Sequence, residues 1–395
     1  MSLNWNEIRK EEYPSIKENG YTYFLSAGAS LMNKSSYEVG KEYFEYMHTY
    51  GDIDHETFFI ELETVRNLVG EILNANPQEI AFLVNTSSGI SATAYMFRNE
   101  KGEVLYPSIE FPTSIHMFER LGYPCRKIKD TEGMYPIDSF KDNMSESTKY
   151  MVHSHVQSFN GFRQDLNKLG AFCSENDLKS IVNSTQAFGA FEINVKQSNI
   201  DILITNALKW LGCGFGIGII YIRQKLVDQF RLPFTGWLSV DNPFVMDNEN
   251  LDVIQKTRSM DSLGGCPNFA SLLTLKGGLT LIKDRIGGGD MQKGVKEIQE
   301  RIIDLTNRFL KMIQKFNFEI ITPQDEHYRS GIITVEHPDA KKIYRYLKKK
   351  KIFTTLKNYP KASKETLIRF AINYYNNLGD IERAESVLRS CKYIQ

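Results

Sequence analysis

The sequence predicts an α/β fold: a large domain on a mostly parallel sheet, followed by a smaller α+β C-terminal lobe. Three observations carry this. Short apolar, β-branched runs alternate with helix-like stretches between residues 79 and 223. A long amphipathic helix and a second set of strand-like runs follow nearer the C-terminus. The chain, at 395 residues with 42% hydrophobic and 24% charged side chains, also exceeds what one core usually organises.

Taken in order, strand-like runs fall at 80–84, 104–106, 150–156, 180–183, 200–205 and 218–222, with helix-like stretches at 89–97, 114–121 and 165–176. Continuous apolar strands between helices suit a parallel sheet covered on both faces. After an Asn- and Asp-rich loop at 240–252, Val295, Ile298, Ile302, Leu305, Phe309 and Met312 recur in steps of three and four, which makes one helical stripe. Strand-like 318–321, 331–336 and 366–371 then alternate with helix-like 339–350 and 380–391. Lysines 348–351 close one of these helices, where cations complement the carbonyl end of the dipole. The expected division is a large domain at 23–275 and a small one at 276–395, joined by the segment 1–22.

Composition excludes several classes of function. With 48 basic and 48 acidic side chains the formal net charge is zero, so no broad field draws in phosphate backbones and no nucleic-acid partner is expected. The weakly polar run 210–222 is too short and glycine-rich to cross a bilayer, and residues 1–10 lack the apolar region of a signal peptide. Cys125, Cys173, Cys213, Cys266 and Cys391 are odd in number, far apart and include no C-x-x-C pair, which suits a reduced, cytoplasmic chain. His153 and His155 share a strand face, but no further metal ligands stand at fitting positions nearby.

Three segments carry chemistry. Val84-Asn85-Thr86-Ser87-Ser88-Gly89 follows a strand and opens a helix, where free amides and hydroxyls suit a phosphate, although the same residues are ordinary helix caps. In Ile181-Val182-Asn183-Ser184-Thr185-Gln186 a strand ends in polar groups on the edge that faces the ligand crevice in open α/β sheets, or in a turn satisfied by its own amides. In the third segment, Ile200-Asp201-Ile202-Leu203-Ile204-Thr205-Asn206-Ala207-Leu208-Lys209-Trp210-Leu211-Gly212, an apolar strand runs into a lysine. Such a lysine usually snorkels to water, whereas one held in a crevice loses its charge more readily and its amine can attack a carbonyl.

In this order the three segments resemble the class V aminotransferase group of fold type I pyridoxal-phosphate enzymes, which includes cysteine desulfurases, selenocysteine lyases, kynureninases and isopenicillin N epimerase-like proteins. The resemblance spans nearly the whole chain. It runs from Tyr23-Phe24-Leu25-Ser26-Ala27-Gly28, through Phe111-Pro112 and Asn160-Gly161-Phe162-Arg163-Gln164-Asp165-Leu166, to Ile368-Arg369-Phe370-Ala371 and Tyr374-Tyr375-Asn376-Asn377. It implies that Lys209 forms a Schiff base with pyridoxal 5'-phosphate, that Gln186 meets the phenolic oxygen, and that Phe111 stacks on the ring. It places Thr86, Ser87 and Ser88 at the phosphate turn and pairs Arg369 with the substrate α-carboxylate.

Departures from the family pattern stand beside the matches. Asn183 occupies the place of an aspartate that charges the pyridine nitrogen, so a weaker electron sink is expected. Ala207 and Leu208 replace polar neighbours of the lysine, and Cys266 replaces a threonine that reaches the partner subunit's phosphate. No cysteine lies between residues 352 and 366, where desulfurases carry their nucleophile, which disfavours a persulfide mechanism. The expectation is a pyridoxal-phosphate-dependent, aminotransferase-like enzyme acting on a small amino acid, as a homodimer with sites at the subunit interface. Asn183, Ala207 and Cys266 motivate the competing expectation of a cofactor-poor, non-catalytic homologue that keeps the fold as a dimeric binding protein.

Overall fold

A computed structural model of the chain describes residues 3–249, 252–358 and 365–394. Seven strands form the large sheet, in the spatial order Ile80–Leu83, Gly218–Ile222, Ile202–Asn206, Lys179–Asn183, Thr148–Ser154, Glu103–Pro107 and Cys125–Ile128. Gly218–Ile222 runs antiparallel to both neighbours and the remaining pairs are parallel. Alternate residues serve two cores. Phe82, Leu105, Met151, Val182, Leu203 and Ile219 pack on one face, and Ala81, Val104, Val152, Ile181, Ile202 and Ile220 on the other. A strand buried on both faces has no polar positions to alternate with, which is why these runs read as continuously apolar.

Six of the seven strands lie where the apolar runs predict them. The seventh, Cys125–Ile128, was not predicted: it is an edge strand whose Arg126 and Lys127 are exposed, so it carries no apolar signal. Also unassigned by the sequence reading were helices Lys34–Tyr50, His55–Leu73 and Phe269–Thr280, which stack together against the sheet. Of the 17 residues in Lys34–Tyr50 only Ser36 and Gly40 are fully buried, so no apolar stripe marks it.

The smaller sheet is antiparallel, in the order Thr355–Lys357, Leu367–Ala371, Ile332–Glu336 and Glu319–Ile320, with helices Ala340–Lys349 and Leu378–Arg389 beside it. Helix Met291–Ile313 spans both cores: Val295, Ile298 and Ile302 pack under the large sheet, and Leu305, Phe309 and Met312 in the small lobe. Segment 158–163 fastens the lobe through Thr334 Oγ1 to Phe159 O at 2.6 Å, Ser330 Oγ to Gly161 O at 2.8 Å and Arg163 Nε to Arg329 O at 2.8 Å. The loop expected at 240–252 holds a short 3-10 turn, Pro243–Val245, and its residues 250 and 251 lie outside the described residues.

One buried ion pair ties the first strand of the large domain to distant chain. Arg66, wholly buried, donates to Asp261 Oδ2 at 2.5 Å and to Ile80 O at 2.8 Å, while Asp261 Oδ1 accepts from Phe82 N at 2.8 Å. Burial opposes both charges. Proximity of Asp261 and Glu63 nevertheless holds the Arg66 guanidinium above its ordinary pKa. Removing one partner leaves the other charge stranded, so Arg66→Met is expected to lower unfolding free energy by about 3–5 kcal/mol. Urea denaturation checks this, and an unchanged midpoint would refute it.

Candidate active site

Where the carboxyl ends of the parallel strands meet the small lobe, a cleft of about 380 Å³ opens. Its lining residues come from strand ends or the turns just after them: Ser154, Asn183, Asn206 and Lys209. The helix start at Asn85 to Ser87 closes one side, Phe111 another, and Lys357 and Arg369 of the small sheet a third.

Lys209 is set by the turn behind it. Strand Ile202–Asn206 ends, Cys213 N bonds Ala207 O at 3.0 Å, and Gly212 N returns to Lys209 O at 3.2 Å. Gly212 has φ +66°, and a Cβ there would meet the Leu31 carbonyl, so a glycine is required. The Lys209 ammonium then lies 5.7 Å from the Phe111 ring centroid. Burial, with the charges of Arg369 and Lys357, pulls its pKa down to about 7.

The helix start serves two purposes through different residues. Asn85 Oδ1 accepts from Ser88 N at 2.9 Å, and Ser88 Oγ donates back to Asn85 O at 2.7 Å. The hydroxyl of Ser88 is therefore spent on the cap and lies outside the cleft, contrary to the expectation that it faces a phosphate. Thr86 and Ser87 do line the cleft, with Thr86 Oγ1 joined to Thr185 Oγ1 at 2.8 Å and Ser87 Oγ to Thr113 Oγ1 at 2.8 Å. Gly218 lets the neighbouring strand pass close behind, since a Cβ there would sit 2.6 Å from the Asn85 backbone.

Gln186 and Arg369 are linked through Ser158, whose Oγ accepts from both. Gln186 Nε2 donates to Ala27 O at 2.8 Å, its Oε1 accepts from Trp210 Nε1 at 3.1 Å, and Arg369 donates to Ser158 O at 2.8 Å and to Ser158 Oγ at 3.0 Å. Arg369 is 3% exposed, its Nε has no partner, and burial lowers its pKa to about 10. Tyr375 and Asn376, in contrast, point away from the cleft chemistry: Asn376 Nδ2 bonds Asp380, which Arg9 pairs at 2.6 Å. They fasten the N-terminal segment. Cys266 is exposed and outside this cleft. His153 is buried in the sheet's core, and His155 borders a separate polar pocket with Arg163 and Asp165. Among the described residues no group of three His, Cys, Asp or Glu side chains is placed to hold a metal.

Thr113, Ser154, Ser158, Thr185, Asn206 and Lys357 also line the cleft and were not singled out from the sequence. For Ser154 and Asn206 a signal existed, a polar residue ending an apolar strand. Lys357 carried none, because it ends a three-residue strand that reaches the cleft only through pairing with Leu367–Ala371.

Asn183 is held by its surroundings. Its Nδ2 donates to Ser114 Oγ at 2.9 Å, and Ser114 Oγ donates onward to Glu110 Oε1 at 3.0 Å. Glu110, 5% exposed, also accepts from the amides of Phe111 and Ser154 and from Gln157 Nε2.

A model of the family "Aminotransferase class-V" matches residues 22–383. The chain belongs to the class V aminotransferase family. Pyridoxal 5'-phosphate is the cofactor this membership carries, and the protein is an enzyme of that group. The chain is similar to the uncharacterized aminotransferase YcbU of Bacillus subtilis, at 20% identity over 96% of either chain. It is also similar to a kynureninase of Yarrowia lipolytica, at 24% identity over 82% of this chain and 79% of the relative. Its fold matches a cysteine desulfurase from Thermococcus onnurineus, with a TM-score of 0.86 at 19% identity, covering 99% and 98% of the two chains. The cystine C-S lyase C-DES gives a TM-score of 0.83 at 15% identity over 95% and 99%.

A carboxylate at position 183 would face the acceptor side of Ser114, whose single proton already serves Glu110. Asn183→Asp is therefore expected to destabilise the fold by about 1–3 kcal/mol, the cost of a stranded buried polar group. Thermal melts at neutral pH measure this; a variant as stable as the parent would show that Ser114 turns freely.

Proposed function

We propose that this class V enzyme acts on a small amino acid, using Lys209 as the amine that receives the cofactor and the substrate, without a persulfide on cysteine. The observation that carries it is the Lys209 amine inside the cleft, opposite Phe111. The residues present fit the cofactor. A helix start with the hydroxyls of Thr86 and Ser87 lining the cleft suits its phosphate, an aromatic face suits its ring, and unpartnered Asn206 Oδ1 and Arg369 Nε await polar groups. When bound, the cofactor supplies an aldehyde carbon to which amines add and a conjugated ring that draws electrons from the substrate α-carbon.

The chain's own residues do the rest. With a pKa near 7, Nζ of Lys209 is unprotonated in a large fraction of molecules at neutral pH, so it can attack and later carry a proton. Thr86, Ser87 and the amides of their helix bind the phosphate. Arg369, fixed through Ser158, offers its free edge to an α-carboxylate. Asn183, a neutral donor, would leave the ring a weaker electron sink than an aspartate would. No cysteine is among the described residues that line the cleft, and 352–366 has none in sequence, which supports a reaction other than desulfuration. Phe215, 73% exposed at the cleft mouth, together with exposed Trp237, Phe244 and Met246, supports a homodimer.

The purified protein is expected to show a visible cofactor band, and borohydride should leave a pyridoxyl group on the Lys209 peptide; Lys209→Ala should show neither. A protein that stays colourless with added cofactor would instead be the non-catalytic homologue. Because only the free amine attacks, the rate of cofactor uptake should rise with pH through a midpoint of about 7. A midpoint at the ordinary lysine value, about 10.4, would mean a solvated side chain. Arg369→Ala is expected to weaken amino-acid binding by about 1.5–3 kcal/mol while the band persists, and equal affinity would remove the arginine from the substrate site.

A further inference from the structure

The cleft carries more positive charge than one α-carboxylate needs. Lys209, Lys357 and Arg369 all line it, and among the described lining residues there is no Asp or Glu. Strands Thr355–Lys357 and Leu367–Ala371 pair antiparallel with Thr355 opposite Arg369 and Lys357 opposite Leu367. Lys357 and Arg369 are therefore diagonal neighbours on one sheet face, where such positions lie about 7–8 Å apart.

Each of the two is short of a partner. Arg369 spends only one nitrogen, on Ser158, and its buried Nε is unbonded. Lys357 is half-buried, and among the described residues its ammonium has no hydrogen-bond or ion-pair partner. Burial and the charge of Arg369 pull its pKa down to about 8, so its charged form is held at a cost that an incoming anion relieves. An α-carboxylate on the forked edge of Arg369 neutralises one charge and leaves the lysine beside it bare. The cofactor phosphate belongs to the helix start at Thr86, on the other domain, and is not available to it.

We propose that the substrate is an amino acid with a second anionic group on its side chain, its α-carboxylate held by Arg369 and its side-chain carboxylate, sulfonate or phosphonate paired with Lys357. This rests on the reading of the cleft as an amino-acid site and goes beyond it by naming the substrate class and a specificity residue.

The test measures dissociation constants of the cofactor-loaded protein for L-alanine, L-aspartate, L-glutamate, L-cysteate and L-phosphonoalanine from the shift of the cofactor band. It also measures binding of succinate and glutarate by calorimetry, with and without cofactor. At least one acidic amino acid should bind about tenfold or more tightly than alanine, and Lys357→Met should cut that ratio by about tenfold, as loss of a charged hydrogen bond does. Lys357→Arg should retain much of the ratio, and which acid binds best separates the three side-chain anions. The proposal fails if alanine binds as tightly as every acid, or if Lys357→Met weakens alanine and the acids equally, which would place the lysine on the α-carboxylate instead. If the protein takes up no cofactor, the proposed function fails. Succinate binding that depends on Lys357 would then still uphold the paired-anion site, and its absence would overturn it.

Discussion

Two cations, Lys357 and Arg369, and a readily neutralised amine, Lys209, held in one cleft without a lining carboxylate among the described residues are the constraint around which the site is arranged. Like charges at close range lower one another's proton affinity, and burial adds to the effect. The structure tolerates the arrangement because the three groups are anchored on the two sheets. Lys209 follows a central strand of the large sheet, Arg369 lies in the middle of the small sheet, and Lys357 ends the edge strand next to it. The hydrogen bonds of Ser158 and the clamp at 159–163 fix the two sheets relative to each other. Repulsion that would scatter flexible side chains is thus borne by the packing of both cores.

Much of the fold was legible because burial on both faces leaves a plain mark, the continuous apolar strand. Ile80–Leu83 and Gly218–Ile222 carry it. The mark fails at edges and covers. Cys125–Ile128 presents Arg126 and Lys127 to water, and Lys34–Tyr50 touches the body through small residues such as Gly40, whose Cβ would collide with Thr274. A helix that packs through its smallest side chains shows no hydrophobic stripe, however close its contact.

The site was legible to a different depth. Lys209, Gln186, Thr86, Ser87, Phe111 and Arg369 do converge on one cleft, and the strand-end rule together with the family pattern located them. Ser88 lies outside the lining because capping and phosphate binding ask for the same residue types, and only geometry says which hydroxyl turns inward. Lys357 and Ser158 were invisible for another reason. Their contribution arises from pairing between elements separated by more than two hundred residues in the case of Ser158 and Arg369, and no local pattern encodes it.

The carboxylate nearest this chemistry is instructive by its isolation. Glu110 sits behind Phe111 and is surrounded by donors: two backbone amides, the hydroxyls of Ser114 and Ser154, and the Gln157 amide. A carboxylate so fully bonded projects little negative charge into the cleft, since its lone pairs are already met by oriented dipoles. Asn183 stands one hydroxyl away and can donate to Ser114 only because it is an amide. An aspartate there would place two carboxylates on one proton. The neutral residue therefore follows from the wall behind it, and among the described residues that line the cleft there is no Asp or Glu, while Lys357 and Arg369 keep its small-lobe side positive. Polarity then runs from the sheet toward the small lobe, so an anionic substrate is drawn to the lobe and its amine is left facing Lys209.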